Sequence, residues 1–151
     1  MANTYTQLYV HVVFSVKGRS GQISTDWKEE LYKYIGGIIK YRKQKLMVIG
    51  GMNDHIHLLI GFNPACTLSD LIRDIKSNSS KWINEKRLAM GRFEWQSGYG
   101  AFTIGQSQVG KVLKYILNQE EHHRKKTFRE EYIEFLKAYQ VDYNPDYVFD
   151  I

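Results

Sequence analysis

The sequence predicts an α+β fold, with one antiparallel sheet, two helices on one face of it, and further helices after it. The chain has 151 residues, of which 43% are hydrophobic and only two are proline. That is enough to bury the core of one domain spanning residues 1–151. Four stretches suit strands, and others repeat apolar residues with the period of a helix.

The first strand is predicted over residues 5–16, where apolar residues alternate with others and His11 lies on the more polar side. A basic loop follows, in which Lys17 and Arg19 are the cationic residues. Asp26 with a glutamate three residues later resembles a capping box. Because apolar residues then recur at helical spacing as far as Arg42, this segment predicts the first helix.

The next two strands are predicted to form a hairpin. Residues 45–52 suit one strand, and residues 55–62 suit the other. Between them lies the polar pair Asn53-Asp54, which is typical of a short turn. The two strands should therefore pair directly with each other.

A second helix and a fourth strand complete the predicted core. Thr67 with Asp70 three residues later indicates a helix start, and an apolar stripe follows it. Residues 93–104 are rich in aromatic side chains and predict a strand, although Gly98 and Gly100 make its first part irregular.

The order strand, helix, strand, strand, helix, strand is that of ferredoxin-like βαββαβ domains, here over about residues 5–104. In that arrangement both helices pack on the same face of the sheet. We expect the opposite face to be open, with His55 and His57 pointing from it.

Two further helices are predicted after this core. One covers about residues 107–122, beginning at Ser107, and carries apolar residues at helical spacing. The other begins at Thr127, whose partner in a capping box is Glu130, and it leads into a tail. This last helix and tail span about residues 127–151.

Composition narrows the class of partner. The formal net charge is +5 and 14% of the residues are aromatic, which is typical of proteins that bind nucleic acid. No apolar run approaches the ~20 residues of a membrane span, and the first residues do not resemble a signal peptide. We expect a cytoplasmic protein. The single cysteine, Cys66, has no intrachain partner for a disulfide.

His55 and His57 stand two residues apart in the third strand and therefore share one face. Ile56, Leu58 and Ile60 point to the other face, where they can join the core. Two neutral imidazoles side by side can chelate a divalent cation if a third ligand is supplied. The alternative is that both histidines are ordinary polar residues on a solvated strand face.

Tyr115 and Gln119 are four residues apart in the third helix, so their side chains share a face. A phenol and an amide presented together would suit nucleotidyl transfer, because the phenol can attack a phosphodiester and the amide oxygen can bind a metal. The alternative is that Tyr115 is one of the 11 tyrosines with a structural role.

Three motifs in order carry a family resemblance. They are Tyr-x-His-x-Val-Phe-Ser from Tyr9, Met-Asn-Asp-His-Ile-His-Leu-Leu from Met52, and Tyr-Ile-Leu-Asn-Gln from Tyr115. Together they resemble the single-tyrosine HUH transposases, which include small insertion-sequence transposases and repeat-associated tyrosine transposases. The resemblance runs over about residues 5–128. One departure is Asn53, where the family often has proline, and it changes no ligand.

The resemblance implies a single-stranded DNA endonuclease and strand transferase that acts on hairpin-bearing DNA ends. It implies that Tyr115 is the nucleophile, forming a 5′-phosphotyrosine bond, and that His55, His57 and Gln119 bind a divalent metal, magnesium or manganese. It also implies a homodimer whose sheets join. The residues do not say whether Tyr115 meets the histidines of its own chain, and they reveal no base for its proton.

Basic and aromatic residues outside this centre are candidates for DNA contacts. Trp95, Tyr99 and Phe102 could stack on unpaired bases, although packing in the core or a dimer is the alternative. The candidate DNA-backbone residues are His11, Lys17, Arg19, Arg73, Lys76, His122, His123, Arg124 and Lys125.

Two other functions remain open. A βαββαβ core can serve as a non-enzymatic platform for RNA or single strands, but such a platform would carry stacking rings where this chain has His55 and His57. A domesticated or inactive relative that only binds hairpin DNA could keep every catalytic residue type.

Overall fold

The four predicted strands form one antiparallel sheet. The computed structural model describes residues 3–18, 22–122 and 125–148 of the chain. The strand order in the sheet is β2-β3-β1-β4, which confirms the βαββαβ topology. The strands are β1 (Tyr9–Ser15), β2 (Lys45–Gly51), β3 (His55–Gly61) and β4 (Gly100–Ile104).

Two strands, β1 and β4, are several residues shorter than the sequence pattern indicates. β1 begins at Tyr9, which pairs with the last residue of β3 and the last residue of β4, so the sheet ends there. β4 begins at Gly100, and the preceding residues make only an isolated bridge between Trp95 and Val16. The backbone of Gly98 has φ +84, which interrupts the strand.

Helices α1 (Lys28–Tyr41) and α2 (Leu68–Glu85) pack on one face of the sheet, as predicted. The main core lies between them and the strands; it includes Val12, Phe14, Ile56, Leu58 and Ile60. Thr67 caps α2 by accepting a hydrogen bond from Asp70 N at 3.1 Å. The capping box predicted at Asp26 is wrong, because α1 begins after Trp27 without a side-chain cap.

The opposite face is not open, and that part of the prediction is wrong. Helices α3 (Val109–Leu117), α4 (Gln119–His122) and α5 (Phe128–Ala138) follow β4 and a 3₁₀ turn at Gln106–Gln108. Two apolar clusters, which contain Val13, Leu59, Phe102 and Ile104 from the sheet, join this face to α3 and α5. These apolar residues explain why helices cover this face of the sheet, since packing against helices removes the apolar side chains from water.

The C-terminal helices differ from the expected pair in one detail. The predicted helix over residues 107–122 is divided, because α3 ends at Leu117 and α4 begins at Gln119. The capping box at the start of α5 is present as predicted, with Thr127 accepting from Glu130 N at 3.2 Å. Within the described ranges, no helix combines the length and apolarity that crossing a bilayer requires.

Candidate metal and tyrosine centre

Strand β3 places both histidines of the His-x-His pair on the covered face, each 0% exposed. The Nδ1 atom of each ring already has a partner. His55 Nδ1 lies 2.7 Å from Asp54 Oδ1, and His57 Nδ1 lies 2.8 Å from His11 Nε2. Such contacts hold a ring in one orientation and leave Nε2 for another ligand. Both Nε2 atoms turn toward the same small cluster.

Gln119 and Glu131 complete that cluster. Gln119 Oε1 lies 3.0 Å from His55 Nε2. Glu131 Oε1 lies 3.0 Å from His57 Nε2 and 3.5 Å from His55 Nε2. The candidate ligand atoms of His55, His57 and Glu131 all lie within 4.8 Å of one another. The four side chains therefore converge on one point beneath the covering helices.

The donor set fits a divalent cation. When the His55 proton is on Nδ1, where Asp54 accepts it, Nε2 presents a lone pair to the amide oxygen of Gln119. In that tautomer two acceptors face each other 3.0 Å apart, and a cation bound to both would remove their repulsion. Ligands that each sit ~2.1 Å from a cation are separated by roughly 3 Å or slightly more in octahedral or tetrahedral geometry. The separations in this cluster match that spacing.

Helix α3 brings Tyr115 to the same cluster within one chain. The Tyr115 hydroxyl donates a hydrogen bond to Glu131 Oε2, and its ring centroid is 5.9 Å from that of His57. The pKa of the Tyr115 phenol is raised above its ordinary value, first by burial and then by the hydrogen bond to Glu131. The phenol is therefore protonated at neutral pH in this arrangement.

A glycine in β2 allows α3 to lie this close to the sheet. A Cβ atom on Gly50 would lie 2.6 Å from the Ile116 carbonyl oxygen, which is closer than atoms can approach. Ile116 is buried beside Leu59 and Ile104. The absence of a side chain at Gly50 thus sets the position of the helix that carries Tyr115.

His11 belongs to the centre instead of to a DNA surface. It is 1% exposed, and its ring stacks on His57 with a centroid distance of 5.1 Å. The pKa of His11 is lowered to about 3, mainly by burial and then by its electrostatic interaction with His57, while Glu131 opposes the shift. His11 is a neutral ring that orients His57, and it is too deeply buried to contact a DNA backbone in this arrangement.

The other candidate DNA residues that the structure describes lie outside the cluster. Lys17, Arg73 and Lys125 are exposed, while the half-buried Lys76 donates hydrogen bonds from Nζ to the carbonyl oxygens of Gln96 and Gly98. Arg19, His123, Arg124 and the side chain of His122 lie outside the described residues.

The aromatic candidates divide between the core and the surface. Trp95 and Phe102 are buried, the first against Phe14 and the second against Phe135. Tyr99 is 38% exposed. Of the three, it alone offers a ring to solvent, so stacking on bases is restricted to Tyr99 in this arrangement.

Glu131 was missed by the sequence reasoning. Its position carries a signal, because Phe128, Tyr132 and Phe135 form the apolar stripe of α5 and Glu131 lies within that stripe. A carboxylate on the apolar face of a helix needs a polar partner when the face is buried. The pattern could therefore have identified Glu131 as unusual, although it could not have named its partners.

Comparisons with known proteins identify the family of the chain. The family model described as "Transposase IS200 like" matches residues 4–119. The ISDra2 transposase TnpA of Deinococcus radiodurans is 22% identical over 120 residues, covering 76% of this chain and 86% of that protein. The transposase of insertion sequence element IS200 from Salmonella typhimurium is 24% identical over 126 residues, covering 80% and 82%.

A solved structure shares the fold. A REP-associated tyrosine transposase bound to a REP hairpin superposes with a TM-score of 0.62 at 15% identity, covering 82% of this chain and 73% of that one. The family match includes the His-x-His pair, Tyr115 and Gln119, and it spans most of the chain. The chain therefore belongs to the IS200-like transposase family.

Proposed function

We propose that this transposase is a metal-dependent endonuclease and strand transferase for single-stranded DNA, with Tyr115 as its nucleophile. One observation carries the proposal: the Tyr115 hydroxyl and both histidine Nε2 atoms converge on a single carboxylate. A phosphate group in that position would face the nucleophile and the metal ligands together. The arrangement is therefore suited to phosphoryl transfer.

In the proposed reaction the Tyr115 oxygen attacks the scissile phosphorus while the bond to the 3′ oxygen breaks. The 3′ hydroxyl leaves with a proton, and the 5′ end stays attached to Tyr115 as a phosphodiester. That bond keeps the energy needed for rejoining, because another 3′ hydroxyl can attack it in reverse. The phenol proton, which Glu131 Oε2 accepts in a hydrogen bond in this structure, must leave as the oxygen attacks.

His55, His57 and Gln119 would hold the cation, which we propose is magnesium or manganese. When bound, the cation would stabilise negative charge on the phosphate as a Lewis acid. Asp54 orients His55, and His11 orients His57. These contacts fix the rings before any DNA arrives, which reduces the entropy lost when the metal site assembles.

We propose that the substrate is single-stranded DNA with hairpin ends. The formal net charge of +5 supports a DNA partner. The structural relative described as bound to a REP hairpin supports the hairpin form. Of the described candidates, Lys17, Arg73, Lys76 and Lys125 remain as DNA-backbone contacts.

We also propose a homodimer, which light scattering at micromolar concentration would test.

A second candidate function is binding of hairpin DNA without cleavage. It is favoured by the complete burial of both histidines, which keeps a substrate from touching them in this arrangement. The two functions differ in one outcome: only the first produces cleaved DNA, and that cleavage should require both the metal and the histidines.

The test is cleavage of a labelled single-stranded oligonucleotide with a hairpin, taken from the flanks of the gene. We expect cleavage in magnesium or manganese and none in excess chelator. His55→Ala and His57→Ala should each abolish cleavage, and Gln119→Ala should reduce it severely, because each change removes one of three ligands from a hard cation. Equal cleavage in chelator would exclude the metal mechanism. Binding without cleavage under all conditions would favour the second function.

A further inference from the structure

Helix α5 covers the proposed catalytic centre. The Phe128 ring stacks on His55 with a centroid distance of 4.4 Å, and the Phe135 ring lies 5.2 Å from that of His11. Between these two rings, Glu131 reaches into the cluster and is itself only 3% exposed. No DNA strand can reach the histidines while α5 lies there, because they are wholly covered.

The carboxylate of Glu131 stands where a scissile phosphate would have to stand. One of its oxygens accepts the hydrogen bond of the Tyr115 hydroxyl, and the other lies 3.0 Å from His57 Nε2. A phosphate under attack by Tyr115 needs the same two neighbours. Both groups are anions with oxygen atoms at similar separations, so they compete for one place.

The matched family region points the same way. It runs over residues 4–119 and so contains Tyr115, His55, His57 and Gln119, whereas α5 lies beyond it. The nucleophile and the three proposed metal ligands thus all lie within the matched region, and Glu131 does not. The part of the centre that lies outside the matched region is therefore the carboxylate that α5 carries.

The attachment of α5 suits reversible release. Its capping box satisfies its own N-terminal amides, so the helix does not depend on the sheet for that. Its one buried apolar side chain is Leu136, which packs with Val13 and Phe102, while its aromatic residues are only half-buried. The buried carboxylate also opposes docking through its desolvation.

We propose that α5 is an internal occupant of the DNA cleft, with the carboxylate of Glu131 in the place of the scissile phosphate, and that the strand binds when α5 undocks. This inference rests on the proposed function. It identifies the cleft as the surface beneath α5, bordered by Tyr115, His11 and Phe102.

Two variants are designed to weaken the docking of α5 on the sheet, and a third variant is the control. Glu131→Gln removes the competing charge, and Leu136→Ala removes the buried apolar contact. Glu134→Gln removes a carboxylate from the exposed side of the same helix, where it lies 2.6 Å from Lys126 Nζ. If α5 is undocked about a tenth of the time, freeing it should tighten apparent DNA binding about tenfold.

The experiment measures binding of the labelled hairpin oligonucleotide in chelator, so that metal binding does not contribute to the measured affinity. We expect Glu131→Gln and Leu136→Ala each to bind about tenfold more tightly than the parent protein, with Glu134→Gln within about twofold. Hydrogen exchange of residues 128–138 in Tyr115→Phe should accelerate when the oligonucleotide binds, while exchange in α2 stays unchanged.

Weaker or unchanged binding by both loosening variants would overturn the proposal, as would slower exchange in α5 on binding. If the parent protein still cleaves the oligonucleotide in that case, the proposed function stands and only the role of α5 is wrong. If the parent neither binds nor cleaves the oligonucleotide, the proposed function fails and this inference fails with it.

Discussion

Three buried histidines, not only the two of the motif, lie on the tyrosine-facing side of the sheet. The alternation in β1 predicted that His11 shares a face with polar residues, but it could not show that helices cover that face. For the same reason Glu131 was not expected in the centre. Both residues acquire their roles from partners that are far away in sequence.

The pH dependence of stability tests the state of His11. Its pKa falls from 6.5 to about 3 on folding. Between these values His11 binds a proton in the unfolded chain but not in the folded chain. The free energy of unfolding should therefore decrease as pH falls from 6.5 toward 3, by about 1 kcal/mol per pH unit from this group. Above pH 6.5 the contribution is fully present.

His11→Asn should lose this dependence. We expect urea denaturation of the metal-free proteins to show a shallower decrease between pH 6.5 and pH 5 for the variant than for the parent. The remaining titrating groups are common to both proteins, so the difference between the curves reports His11 together with its coupling to His57. Parallel curves would show that His11 binds a proton as readily in the folded chain as in the unfolded chain.

At the scale of elements, the sheet was predictable from the sequence, but the packing of helices on its second face was not. The hairpin of β2 and β3 follows from local patterns, namely two strands and the polar turn at Asn53-Asp54. The apolar stripes of α3 and α5 show that each helix packs on something. They do not specify the surface, since that depends on loop paths and on close approaches such as the one at Gly50.

Gly50→Ala should displace α3. Its methyl group would meet the backbone oxygen of Ile116, which cannot rotate away as a side chain could. We expect a loss of about 1–3 kcal/mol in the free energy of unfolding. Because a shift of about 1 Å can slow a positioned reaction about a hundredfold, strand cleavage should slow by a similar factor.

The matched control is Gly110→Ala, within α3 itself. A Cβ atom there meets nothing within 4 Å, and alanine favours a helix over glycine by roughly 0.5–1 kcal/mol. This variant should be as stable as the parent or slightly more so, with full cleavage. If Gly50→Ala behaved in the same way, the close approach of α3 to β2 would not be what places Tyr115.

At the scale of the whole molecule, one chain holds every group of the proposed centre. The sheet supplies the histidines, α3 supplies the tyrosine, α4 supplies Gln119, and α5 supplies the carboxylate. A homodimer would then bring two complete centres to two DNA ends. The central claim is that Tyr115 in this centre becomes covalently joined to DNA.

That claim is tested most directly by trapping the covalent product. The protein is incubated with the labelled hairpin oligonucleotide and manganese, denatured, and mapped by mass spectrometry, with Tyr139→Phe as a matched tyrosine control. We predict a DNA adduct on Tyr115 that Tyr115→Phe abolishes and Tyr139→Phe retains, since only the nucleophilic oxygen is lost. An adduct of equal yield in Tyr115→Phe would contradict the account.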